Sequence, residues 1–276
     1  MGINYYNYSN PIDNNNDNFT DVTLQNRISF FNKWQFKRKH DRTFSFAARY
    51  VYEDRWGGEM QWNKSFRGGD EVYGESIYTS RWELFGNYQL PTTENLHFQF
   101  SINGHNQNSV YGDMPFLADQ YIAFGQLIWN KTLGQHDLLS GITYRHTYYD
   151  DNTVATNGQQ HTLHNQLPGV FVQDEIKFNK KHSFLLGMRY DRNSQHGNIF
   201  TPRINYKWMN TKKNTVFRWG IGNGYRVANV FTEDHAALTG ARDVVFVKAL
   251  KPERSWNTNI NLVKKFAFEN YVLNFD

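Results

Sequence analysis

The stretch IYTSRWELFGNYQLPTTENLHFQFSING, residues 77–104, decides how the rest of the chain is read. From Tyr78 every second residue (Tyr78, Ser80, Trp82, Leu84, Gly86, Tyr88, Leu90) is mostly apolar or aromatic. The set between them (Thr79, Arg81, Glu83, Phe85, Asn87, Gln89) is mostly polar. After Pro91, Thr92, Thr93, Glu94 and Asn95, which have the turn formers needed to reverse the chain, the alternation resumes. Leu96, Phe98, Phe100, Ile102 and Gly104 now face away from His97, Gln99, Ser101, Asn103 and His105. Successive strand side chains point to opposite faces, so this rhythm predicts two long, two-faced strands. Strands of soluble sheets usually run about 5 to 6 residues, whereas a tilted membrane-crossing strand needs about 9 to 11. Length therefore favours a bilayer. Arg81, Glu83 and His97, with Arg49 and Glu53 one strand earlier, would be costly in a dry core and are expected to line a wet interior. Phe44, Phe46, Tyr50, Trp82, Leu84, Phe98 and Phe100 are expected to face lipid.

Composition permits this. The chain has 276 residues and a mean hydropathy of −0.73, and no run approaches the roughly 18 apolar residues of a membrane helix. A helical membrane protein is excluded, but a transmembrane barrel is not, because only alternate residues meet lipid. Aromatic residues make up 17% of the chain, which suits interfacial girdles and would equally suit a sugar-binding surface. The absence of Cys removes disulfides and thiolate metal sites. The net charge of +4 is spread over many short turns and forms no nucleic-acid stripe. The first six residues show no export signal, so the start is expected to be processed or cut.

Taken in order, residues 1–21 are expected to be an exposed polar loop, since Asp13, Asn14, Asn15, Asn16, Asp17 and Asn18 cannot bury enough apolar surface to order themselves. Such oxygen-rich side chains can hold Ca2+, but their spacing fits no EF-hand and a solvated loop is expected. Residues 22–276 then alternate strands with connections. Short connections at 37–41, 91–95, 133–136, 179–182, 210–214 and 267–270 take turns with longer ones at about 55–76, 106–118, 150–166 and 227–251. Only the brief 195–198 connection departs from that order. Outer-membrane barrels put tight turns on one rim and long loops on the other. About twelve strands are expected, in an all-β, antiparallel up-and-down transmembrane barrel. The last one, at 270–276, stops before it could cross a bilayer, so the barrel is expected to be partial and truncated at both ends.

No constellation supports catalysis, a cofactor or a metal. Gly220, Gly222 and Gly224 alternate with strand residues, which is not the strand, turn and helix of a dinucleotide loop. His161 and His164, with His146 nearby, lack a carboxylate at ligand spacing. Asp174 and Glu175 are adjacent on a strand and point to opposite faces, so they cannot act together as acid and base. The long connections carry Trp56, Trp62, Tyr73, Tyr111 and Phe116, rings that can stack on a bound ligand or simply pack the loops together. With His161 and His164 they are the substrate-loop candidates.

At residues 215–257 the chain resembles a known family. TVFRWGIGNGYR (215–226), VANVFTE (227–233) and LKPERSWN (250–257) are similar to the barrel segment of TonB-dependent outer-membrane receptors. There a strand ends in Gly-aromatic-Arg, a short stretch leads to a Glu, and a loop closes with Leu-Lys-Pro-Glu-x-Ser. The matching positions are Tyr225, Arg226, Glu233, Leu250, Pro252, Glu253 and Ser255. GVFVQDE (169–175) and TPRINY (201–206) resemble two earlier strands of the family. Val227 and Ala228 depart from the usual Ala-Pro. The resemblance spans about residues 20–276 and implies an outer-membrane barrel of 22 strands plugged by an N-terminal domain. It implies uptake of a scarce solute (iron-siderophore, cobalamin, haem or glycan) with energy from TonB. Plug and TonB box are not visible in this sequence. The lipid bilayer is the partner expected here, with plug and TonB added in the full-length protein and no nucleic acid. Two rivals remain open: a complete, passive twelve-stranded porin or outer-membrane enzyme, and a soluble aromatic-rich carbohydrate-binding β-protein.

Overall fold

A computed structural model describes residues 1–152, 162–210, 214–227, 248, 251–265 and 274–275. The elements are β1 (Gly2–Tyr8), β2 (Leu24–Lys37), β3 (Thr43–Gly58), β4 (Gly74–Gln89), β5 (Asn95–Tyr111), β6 (Met114–Leu133), β7 (His136–Asp151), β8 (Leu163–Lys177), β9 (His182–Asn193), β10 (Gly197–Met209), β11 (Thr215–Arg226), β12 (Glu253–Lys264) and β13 (Asn274–Phe275). They form one antiparallel sheet in which every strand pairs with its neighbours in sequence. Among the described residues β1 and β13 each have a single partner, so the wall is open at both ends. No helix is long and apolar enough to cross a membrane, which says nothing of strands.

The register keeps the two phases apart across the sheet. Phe36, Phe44, Tyr88, Phe98, Leu127, Ile142 and Val170 stand in one cross-strand row. One residue along, Gln35, Ser45, Asn87, Gln99, Gln126, Thr143 and Gly169 form a row on the other face. Two glycines on the apolar face sit opposite large rings. Gly104 pairs with Trp82 and Gly86 with Phe100, and a side chain at either glycine would collide with that ring. The ring covers the gap left in the neighbouring strand.

Three expectations change. Residues 1–21 are not wholly loop, because Gly2–Tyr8 forms β1 against residues 25–31 of β2. Average polarity hid the alternation of Ile3 and Tyr5 with Asn4 and Tyr6, and β2 would otherwise present unpaired backbone to lipid. Among the described residues the strands number thirteen, the last of two residues, in keeping with the expected count of about twelve. The expected loop at 106–118 is instead the top of the β5–β6 hairpin, closed by Gly112 and Asp113, with Gly112 at φ 62°. Asn106, Gln107 and Asn108 look like loop residues, but backbone pairing needs no apolar face once a strand has left the hydrocarbon layer. The insert at 55–76 shortens to 59–73, since β3 runs to Gly58 and β4 starts at Gly74. β2 is continuous, and Phe31 on the polar face stacks on Phe85 at 6.5 Å.

Candidate functional site

Two regions can meet a solute: the polar face of the wall and the rim that carries the longer connections. On the polar face, Arg49, Glu53, Arg81, Glu83 and His97 share one phase of the register. Each glutamate is flanked by two arginines. Glu83 lies 2.5 Å from Arg81 and 3.7 Å from Arg49, and Glu53 lies 3.7 Å from Arg55 and 4.0 Å from Arg27. Four guanidinium groups against two carboxylates leave this part of the wall positive. His97 bridges Asn95 at 2.9 Å and Asn87 at 3.4 Å.

Further round, Asp191 is 1% exposed and takes both Arg189 nitrogens, Nε at 2.7 Å and Nη2 at 2.6 Å. Arg189 also donates to Thr143 at 3.0 Å. Gly169 lies beside this group, and a Cβ there would strike the Asp191 carboxylate. Glycine is what allows the buried ion pair against the β8 backbone. A hollow of about 330 Å³ adjoins it, lined by Gln126, Phe171, Gln173, Arg189, Arg203 and Asn223.

At the rim most of the ring candidates are packed away. Trp62 is 4% exposed, lies 4.9 Å from Trp56 and covers Gly74. Tyr111 and Phe116 are buried with Ala118 against Ile77 and Tyr149, and belong to strands rather than to a loop. Tyr73 alone of the set is well exposed. It leans on Phe19 at 6.3 Å and donates to Glu75 at 2.8 Å. Burial first, then that hydrogen bond, push its phenol up to about 12, so it stands neutral and is no phenolate ligand for a hard cation. Phe19 escaped sequence reasoning because it lies in a segment dominated by Asp and Asn. Its proximity to Tyr73 depends on two connections, 9–23 and 59–73, meeting in space.

His164 lies in β8, not in a loop, with its ring 5.8 Å from His146 and 5.2 Å from Tyr148. All three are in the apolar phase. His161 lies outside the described residues. No group of three His, Asp or Glu among the described residues could hold a metal. Of the motif positions, Arg226 and Glu253 face each other across β11 and β12 with a 3.0 Å ion pair that closes the base of the 227–252 connection. Gly224 pairs with Ser255 and Tyr225 with Arg254, while Pro252 immediately precedes β12. Glu233 and Leu250 lie outside the described residues.

Comparison with known proteins agrees with this geometry. The family model described as "TonB dependent receptor-like, beta-barrel" matches residues 1–276. An iron-regulated outer membrane virulence protein of Vibrio cholerae is 27% identical over 134 residues, covering 48% of this chain and 20% of that protein. Among solved structures, the siderophore receptor PirA of Pseudomonas aeruginosa superposes with a TM-score of 0.63 at 13% identity, over 90% of this chain and 45% of that one. The copper transporter OprC superposes with a TM-score of 0.62 at 10% identity, over 90% and 44%. The chain thus spans about a fifth of the curated relative and under half of these structures. Their likeness shows the fold alone.

Proposed function

The chain belongs to the TonB-dependent receptor-like β-barrel family and is an outer-membrane protein; from that premise we propose that it forms wall and outer rim of a receptor importing a scarce solute. The solute class is iron-siderophore, cobalamin, haem or glycan, and import draws on TonB through a plug domain of the full-length protein. The observation that carries the reading is the antiparallel register from β2 to β12, which keeps a mainly polar phase on one face and a mainly apolar, often aromatic phase on the other. Arg49, Glu53, Arg81, Glu83 and His97 then face the plug or water, and the Trp82, Leu84, Phe98 and Phe100 phase faces lipid. Short turns lie on the periplasmic side and long connections outside. Tyr73 and Phe19 are the first rings an arriving ligand meets, whereas Trp62, Tyr111 and Phe116 act by stiffening the rim. The protein works by binding and passage, not by catalysis. A siderophore receptor and a copper transporter share this architecture, and fold never fixes chemistry, so the ligand is chosen by the rim.

The test expresses the full-length gene in a receptor-deficient host and measures uptake of labelled ferric siderophores, haem, cobalamin and oligosaccharides with and without TonB. Saturable uptake of one ligand that vanishes without TonB is expected. Non-saturable flux indifferent to TonB would identify a passive pore instead.

A further inference from the structure

We infer that the tight turn between β2 and β3 is a seat for an anionic phospholipid of the inner leaflet, its phosphate held by Arg38 and Arg42 and its acyl chains lying on the rings above. The last rung of the hairpin pairs Lys37 with Thr43, so the next step sets Arg38 opposite Arg42, in the phase of Phe36 and Phe44. Like charges facing each other across a hairpin are destabilising. Lys37 and Lys39 add two more, both exposed. Among the described residues no carboxylate lies within ion-pair distance of these four cations, Asp41 in the same turn included. Beside other turns on the same rim Lys131 pairs with Glu94 at 2.7 Å and Lys177 with Asp137, whereas among the described residues Lys180 and Lys181 are exposed without an ion pair but make none of the side-chain contacts that fix the two arginines.

The two arginines are nonetheless held in place. Arg38 stacks over the Tyr88 ring at 4.2 Å and donates to its hydroxyl at 3.0 Å and to the Gln89 carbonyl at 2.6 Å. Arg42 donates to the Thr92 carbonyl at 3.3 Å. A guanidinium carries five N–H donors, so both keep some free for an incoming oxyanion, already positioned. Directly above is a slab of rings: Trp34 on Phe46 at 4.6 Å, Phe36 on Phe44 at 4.8 Å, and Phe44 against Tyr88 at 5.5 Å. Phe36 is 44% exposed.

Cations without counter-charges, set at the edge of exposed rings, fit an amphiphile. An acidic soluble partner would satisfy the arginines and leave the rings in water. A phosphodiester takes two N–H donors from each arginine fork, and its chains cover the rings. A zwitterionic headgroup brings its own ammonium to compete, so a net-negative lipid such as phosphatidylglycerol is favoured over phosphatidylethanolamine. The inference rests on the proposed orientation, with short turns at the periplasmic leaflet.

The test titrates the full-length receptor with phosphatidylglycerol or phosphatidylethanolamine and reads bound lipid by native mass spectrometry. A basic residue near an anionic surface is worth about five-fold. Wild type is therefore expected to prefer phosphatidylglycerol by roughly ten-fold or more, and R38Q/R42Q to bring the two lipids within about two-fold. Lys64→Gln, on the opposite rim where Lys64 is already paired with Asp54 at 2.9 Å, should change nothing. Equal binding by wild type, or an unchanged preference in folded R38Q/R42Q, would overturn the inference. Should that variant not fold, Arg42→Gln and Lys39→Gln decide, since Lys39 makes no side-chain hydrogen bond among the described residues. Each should lose about five-fold, and an unchanged preference in both would overturn it. Lys39→Cys, probed in intact cells with an impermeant maleimide, separates the two layers of the argument. Labelling from outside sinks the orientation and the seat together, whereas protection without lipid preference sinks the seat alone.

Discussion

Replacing Phe100 by arginine is the most direct challenge to the assignment of faces. Phe100 is the middle of the five apolar positions of β5, from Leu96 to Gly104. Four residues separate it from either end. At about 3.4 Å per residue and a tilt of about 40°, each end lies roughly 10 Å away, which puts Phe100 near the centre of an apolar band about 25 Å tall. A cation at that depth costs about 2 to 4 kcal/mol, on the order of thirty- to several-hundred-fold in the folding equilibrium. The loss of the ring that covers Gly86 adds to this. Its neighbour Gln99 lies on the other face, 2.6 Å from Gln126, and Gln99→Arg should cost under about 1 kcal/mol. Phe98→Arg, one step nearer the turn, should fall between, because the penalty declines towards the interface. The assay is reversible urea unfolding in lipid vesicles, followed by tryptophan fluorescence and by heat-modifiable migration. Equal destabilisation by Phe100→Arg and Gln99→Arg would refute the faces, and a larger effect of Phe98→Arg would refute the depth.

Three further outcomes are expected. Gly104→Val would drive a side chain into the Trp82 indole and should cost about 1 to 3 kcal/mol in the same assay, with much of the loss recovered in a Trp82→Ala background. Asp191→Ala leaves the half-buried Arg189 without its partner and should cost about 3 to 5 kcal/mol, whereas Arg49→Ala, on a more exposed pair, should cost under about 1 kcal/mol. Glu94 in the β4–β5 turn is held below the usual carboxylate range by hydrogen bonds from Lys131 and Trp129. A depressed folded-state value means that its contribution is full above the ordinary carboxylate value and is lost as pH falls through the lowered one. Glu94→Gln should therefore lower stability in the neutral region, leave the acid end little changed, and so flatten the acid limb of a stability-versus-pH curve.

Much of the wall was legible in the sequence. Alternation across 77–104 fixes two strands and both faces, and the same rhythm recurs in the others because each residue's face follows from chain position alone. The motif at 215–257 pointed to the family, and its Arg226 and Glu253 meet across β11 and β12. The tips of strands were less legible. Residues 106–118 and 2–8 lie where hydropathy no longer tracks pairing, and there backbone hydrogen bonds to a neighbouring strand decide the structure.

The candidate site divides in the same way. That Arg49, Glu53, Arg81 and Glu83 share a face was determined by counting residues, but that each glutamate sits between two arginines depends on cross-strand register. Trp62, Tyr111 and Phe116 look like binding rings in the sequence and are buried in the tertiary structure, while Phe19, hidden among asparagines, lies open beside Tyr73. Period and turn chemistry are local, so the sequence carries them. Burial, ion pairing and exposure at the rim are set by residues dozens of positions apart, and only the cross-strand register brings those together.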